Sequence, residues 1–234
     1  MEDAVHETDE GRGGGIIATQ RLHLGLKKAG IDSKILCKNK KLESADSIPF
    51  PQSKILSKIE PRLQKVTSKL GLNEIHCLNT FRIKREKAYL DADILHIQGI
   101  HTGFFNYLAL PWLSAEKPTV LTLHDAWPLT GHCSCSYDCD RWKIGCGECP
   151  HPDFHPAIQR DNTRLEWKLK NWVYHHSNLT IVTISNWLTE QARQSMLNFL
   201  PIHRIPNGVD TEGFFPLDQD ECPECLDYPQ KRMP

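Results

Sequence analysis

No apolar run in this chain of 234 residues approaches the length of a membrane span. Charge of either sign is not in excess, with 28 Lys and Arg against 29 Asp and Glu, so no global field draws the chain to nucleic acid. The first ten residues, MEDAVHETDE, carry no strand pattern, and they are acidic where a secretory leader is basic and then apolar. That pattern makes the cytoplasm the expected location. A complete GxGxxG after a strand is also missing, which sets aside a dinucleotide oxidoreductase. No internal repeat is present. Without a leader, the nine cysteines read as metal ligands or free thiols and not as a disulfide framework.

What is present is the alternation of an α/β protein with a parallel sheet. A glycine run, GRGGG at 11–15, opens a helical pattern built on Ile16, Leu22, Leu26 and Ala29 and stopped by Gly30. Glycines at a helix start bring backbone N–H donors close to a phosphate or carboxylate, although no strand pattern feeds this one and a flexible linker fits as well. Strands are expected at 31–37, 93–97, 119–123, 179–183 and 202–205. Helices are expected at 104–113, at 161–176 with Leu165, Leu169, Trp172 and Val173 inward, and at 185–196. Residues 54–70 form a separate amphipathic helix that Pro61 kinks or divides. At about 100° per residue, Lys54, Lys58, Arg62, Lys65 and Lys69 fall within roughly 80°, beside a stripe of Ile55, Leu56, Ile59, Leu63, Val66 and Leu70. The favoured reading is a core-packed helix with a solvated basic edge; the alternative is a helix lying on an anionic bilayer surface.

Residues 119–151 organise the rest. A β-branched apolar run ends at His124 and Asp125, a titratable pair just past a strand's carboxyl end, where open α/β sheets place their ligand crevice. His101, in the glycine-containing loop after 93–97, reaches the same end of the sheet and reads as a ligand contact or as incidental. Five cysteines follow within 133–149. Cys133, Cys139, Cys146 and Cys149, spaced C-x5-C-x6-C-x2-C, could close a tetrahedral thiolate site around structural zinc; reduced thiols or a disulfide pair remain the alternatives. Cys135 is left over. The expected organisation is an irregular 1–12, one domain over 13–216 with a cysteine-rich insertion at 127–155, and a proline-rich tail at 217–234.

These segments, in this order, resemble the amino-terminal domain of family 4 glycosyltransferases, retaining GT-B enzymes that use nucleotide sugars. The resemblance is carried by the glycine run, DILHI at 93–97, LHD at 123–125, TISNWL at 183–188, and IPNGVD at 205–210 followed by Phe215 and Pro216. WPLTGHC at 127–133, CDRW at 139–142, and Gly145, Cys146, Cys149 and Pro150 resemble a cysteine-bearing subgroup associated with cell-surface polysaccharide synthesis. The resemblance implies a Rossmann-like half of a GT-B fold. It places Gly13, Gly14 and Gly15 near the donor diphosphate, His124 against the transferred sugar with Asp125 beside it, and Asn207 at the hinge. The substrates implied are a nucleotide sugar and a glycan or lipid-linked acceptor, and no catalytic metal is expected. Two departures stand out: the family's apolar first strand is missing, and no domain with E-x7-E follows the hinge. The expectation is therefore a truncated acceptor-side half with little transferase activity of its own, whose enzymatic status is open, with a fragment of a longer gene or a separate chain carrying the other half as the alternatives. The alternative is a zinc-stabilised binding module that acts through a partner or a membrane surface.

Overall fold

The computed structural model describes residues 14–38, 45–101 and 103–216, and the backbone of 2–9 and 39. The elements run β1 (Glu2–Asp9), α1 (Gly14–Lys28), β2 (Asp32–Asn39), β3 (Ser47–Pro49), α2 (Lys54–Lys69), α3 (Lys87–Asp91), β4 (Ile94–Ile97), α4 (Leu110–Ser114), β5 (Thr119–Leu123), α5 (Thr163–His175), β6 (Leu179–Thr183), α6 (Asn186–Arg193) and β7 (Ile202–Arg204). The strands form one parallel sheet in the order β3-β2-β1-β4-β5-β6-β7. This is the Rossmann-like α/β architecture expected. The order reverses between β1 and β4, and in such sheets the crevice beyond the carboxyl ends at that point takes the ligand.

Position β1 corrects the sequence reading. Residues 2–9 were expected to be irregular and the first strand absent; instead they form the central strand, with Val5 opposite both Ile35 and His96. Hydropathy cannot reveal this strand because only Ala4 and Val5 are apolar in EDAVHETD. The ladder itself uses backbone groups, which every sequence supplies, and the slot between β2 and β4 needs a strand to satisfy both edges. Met1, residues 10–13 and the tail at 217–234 lie outside the described residues.

Along β4, β5 and β6 the side chains alternate between two environments. Leu95, Ile97, Leu121, Leu123, Leu179 and Ile181 enter the main core with Phe105, Tyr107, Leu110 and Val173. Residues of the other parity, including His96, Val120, Thr122 and Val182, line a cavity of ≈ 610 Å³ shared with Arg21 and Leu22 of α1.

Two helices turn the polar face inward. In α2 the buried side chains are Glu60 and Thr67, while Ile55, Ile59, Val66 and Leu70 are 72%, 42%, 55% and 38% exposed. Glu60 holds the helix down: its Oε1 accepts from Asn79 N at 2.7 Å and Asn79 Nδ2 at 3.0 Å, while Asn79 Oδ1 accepts from Ser53 N. Ser53 Oγ caps the helix at Leu56 N, and Pro61 does not divide it. In α5, Leu165 and Trp172 were expected inside but are exposed; Thr163, Glu166, Lys170 and Tyr174 are buried with Val173. These polar groups face the long loop after β5. Lys170 Nζ donates to Trp127 O at 2.8 Å and Thr130 O at 3.0 Å and lies 3.2 Å from the Trp127 ring centroid, while Tyr174 Oη donates to Pro128 O. The helix expected over 104–113 shortens to a 3-10 turn, Tyr107–Ala109, and α4.

Burial pushes the Glu166 carboxyl up to about 7, against the opposing charge of Lys170. Unfolded, it titrates near 4.5, so its favourable contribution is complete below that pH and is lost as pH rises through about 7. Glu166→Gln should flatten this dependence. In urea the variant is expected to gain on the native chain by up to about 3 kcal/mol towards pH 7, with no gain at pH 4.5; parallel pH profiles for the two proteins would contradict the assignment.

Candidate active site

The carboxyl ends of β4 and β5 bring together three of the residues expected from the sequence. His101 Nε2 donates to Asp125 Oδ2 at 2.7 Å, and Asp125 Oδ1 accepts from Trp127 N at 2.9 Å. The Trp127 ring packs against the His101 ring, with centroids 5.3 Å apart. Burial alone would raise the Asp125 pKa, but the His101 hydrogen bond and charge, with the Trp127 amide, bring it below the ordinary value. Asp125 thus stays a carboxylate and orients the His101 ring. His101, read from sequence as a ligand contact or as incidental, is hydrogen-bonded into the cluster.

His124, half-buried, is held by a residue the sequence reading missed. Its Nε2 lies 3.0 Å from Gln98 Oε1, Gln98 Nε2 lies 2.9 Å from His96 Nε2, and His96 Nε2 lies 2.8 Å from Thr122 Oγ1. Burial lowers His96 to about 4 and also lowers His124, the latter with a contribution from His101. Both rings are therefore neutral at pH 7. The amide carbonyl of Gln98 can only accept, so His124 carries its proton on Nε2, and the amide nitrogen can only donate, so His96 Nε2 is unprotonated. This leaves His124 Nδ1 as an acceptor, with no hydrogen bond among the described residues. The sequence signal for this line was thin: one histidine inside an apolar strand and one glutamine after it.

The remaining expected residues spread around this point. Gly13 lies outside the described residues, while Gly14 opens α1, with Gly15 O accepting from Thr19 Oγ1. Asn207 lines the ≈ 610 Å³ cavity together with His96 and Gln98. Its segment is tied back to α1 by Arg21, which donates to Gly208 O at 3.5 Å and lies over the Phe214 ring.

The four expected metal ligands, Cys133, Cys139, Cys146 and Cys149, all border one cavity of ≈ 20 Å³, with His132, Arg141 and Trp142; Cys135 does not. All are free thiols. Burial pushes Cys146 up to about 12, and Cys133 and Cys149 also upward. Gly131 N donates to Cys146 Sγ at 3.3 Å, and Cys149 Sγ lies 3.3 Å from His132 Nε2. Gly131 has no room for a side chain: a Cβ would meet Thr163 at 2.6 Å. Among the described residues no three His, Cys, Asp or Glu side chains are already gathered as a bound ion would hold them.

Residues 12–213 match the family model described as Glycosyltransferase Family 4. Over 75 residues the chain is 32% identical to WcaC of Escherichia coli (strain K12), a protein named for colanic acid biosynthesis glycosyl transfer; the match covers 29% of this chain and 18% of WcaC. Among solved structures, sucrose-phosphate synthase of Thermosynechococcus elongatus aligns with a TM-score of 0.47 at 14% identity, over 92% of this chain and 50% of the synthase. The chain thus spans half or less of each of these proteins. On the family match, which takes in the glycine run, the HD pair, the cysteine loop and the segment through Asn207, the chain belongs to Glycosyltransferase Family 4.

Proposed function

We propose that this chain is the acceptor-side half of a hexosyl transferase that uses a nucleotide sugar in cell-surface polysaccharide synthesis, and that it transfers little sugar by itself. The observation that carries the reading is the grouping of His101, Asp125 and His124 beyond β4 and β5, beside the point where strand order reverses. In it, His124 Nδ1 accepts a hydrogen bond from a hydroxyl of the donor sugar. His101, fixed by Asp125 through Nε2, presents Nδ1 to an acceptor hydroxyl as a base. Gly14 and Gly15 bring the start of α1, with its unpaired N–H donors, to the diphosphate. Charge that offsets departure of the diphosphate comes from a second domain.

The test is a titration of the purified chain with UDP-glucose, UDP-galactose, GDP-mannose and GDP-fucose, followed by ligand-observed NMR. At least one is expected to bind, and His124→Ala to weaken it about tenfold, the value of one lost hydrogen bond near 1.4 kcal/mol. Binding that is absent throughout, or unchanged in His124→Ala, would refute the reading.

A second reading concerns where the acceptor is met, and rests on α2. No described helix is long and apolar enough to cross a membrane. Yet α2 is fastened by Glu60 and Asn79 and turns Ile55, Ile59, Val66, Leu70 and five basic residues outward, a combination that suits an anionic bilayer. On this reading the chain works at the inner face of the membrane on a lipid-linked acceptor. Flotation should show binding to vesicles rich in phosphatidylglycerol and none to phosphatidylcholine alone. Lys58→Gln with Lys65→Gln should weaken it about thirtyfold, at ~1 kcal/mol per lysine; equal recovery with both vesicle types, or an unaffected double variant, would count against it.

A further inference from the structure

We propose that Cys133, Cys139, Cys146 and Cys149 bind one zinc ion in a closed tetrahedral thiolate site that braces the loop between β5 and α5. Three independent observations meet there. First, four side chains separated by up to sixteen positions in sequence border a single ≈ 20 Å³ cavity, room for one water-sized sphere and little more. Second, the backbone from Gly145 to Glu148, around the third ligand and up to the fourth, is held in a conformation that side chains resist. Gly145, Cys146, Gly147 and Glu148 all have positive φ, at 122°, 50°, 86° and 49°. For the two non-glycine residues this conformation is unfavourable, and a metal knuckle is a structure that offsets it. Third, one backbone donor of the loop is turned toward sulfur: Gly131 N–H points at Cys146 Sγ, as N–H groups do around metal thiolates.

The surroundings suit the charge. Binding releases the four thiol protons to solvent and leaves an ion-plus-thiolate unit of net charge −2. Arg141 lines the cavity and donates to Gly147 O, and Arg164 packs against Gly147, so two guanidinium groups flank the unit. The loop is otherwise anchored on α5 by Thr163 and Asp161, which accept from Gly147 N and Cys149 N. The sulfurs border the cavity without yet meeting at one point. Side-chain rotation between staggered wells is the movement that closes the ring to the ~2.3 Å of a zinc–sulfur bond. With all four positions taken by protein there is no open place for a water, so the ion is structural and the sugar chemistry does not pass through it.

The experiment uses the full chain without a histidine tag, grown with added zinc and dialysed. Elemental analysis is expected to give about one zinc per chain for the native protein and for Cys135→Ser, and to lose it in Cys139→Ser and Cys149→Ser. Because a ligand variant can fail to fold, Co²⁺ is also exchanged into the native protein, where intense sulfur-to-cobalt charge transfer and tetrahedral d–d bands are expected. Zinc near zero in the native chain, a disulfide among these cysteines by mass, Co²⁺ without charge transfer, or loss of metal in Cys135→Ser equal to that in Cys149→Ser would overturn the proposal.

Discussion

The line of hydrogen bonds from Thr122 through His96 and Gln98 to His124 is the constraint on which the crevice depends. It starts from the cavity-facing side of β4 and β5 and ends at the crevice mouth, so strand pairing sets the position of the histidine. A polar line half inside a sheet is expensive unless each member is satisfied. Here burial keeps His96 neutral, a neutral His96 can accept from the Gln98 amide, and the Gln98 carbonyl is then free for His124. One chemical requirement propagates from the core to the surface and selects the tautomer of the outermost ring.

Behind the crevice, α5 does comparable work for the loop that follows. Lys170 is fully buried and spends its donors on Trp127 O and Thr130 O while its charge rests against the Trp127 ring. Tyr174 and Trp167 donate to Pro128 O and Trp142 O. The HD end of β5 and the cysteine loop are thereby mounted on the same helix face. Trp127 joins the two halves of the arrangement: its amide hydrogen-bonds Asp125, its carbonyl takes Lys170, and its ring covers His101. Disturbance of the cysteine loop would reach the crevice by this route.

Much of this was legible in the sequence where period and composition agree. The β5 run followed by His124 and Asp125 and the β4 run followed by His101 stand where spacing put them, and Cys133, Cys139, Cys146 and Cys149 border one cavity that Cys135 does not. Reading failed where burial and hydropathy part. Strand β1 is polar, and only its neighbours' unpaired edges call for it. On α5 Leu165 and Trp172 face out because Lys170 and Tyr174 take inner positions as donors to loop carbonyls. On α2 four of the six apolar stripe residues face out because Glu60 and Asn79 supply the attachment. Gln98 was invisible because its role exists only when two strands lie side by side.

The central claim is that His124 stands neutral at the crevice with Nε2 protonated and Nδ1 free to accept. Nitrogen-15 NMR of the histidine rings, assigned with Gln98→Leu and His124→Ala, measures this directly. The account predicts an Nε2–H tautomer for His124 across neutral pH, lost or mixed with the other tautomer in Gln98→Leu. A His124 ring that is protonated on Nδ1, or charged at pH 7, would contradict it.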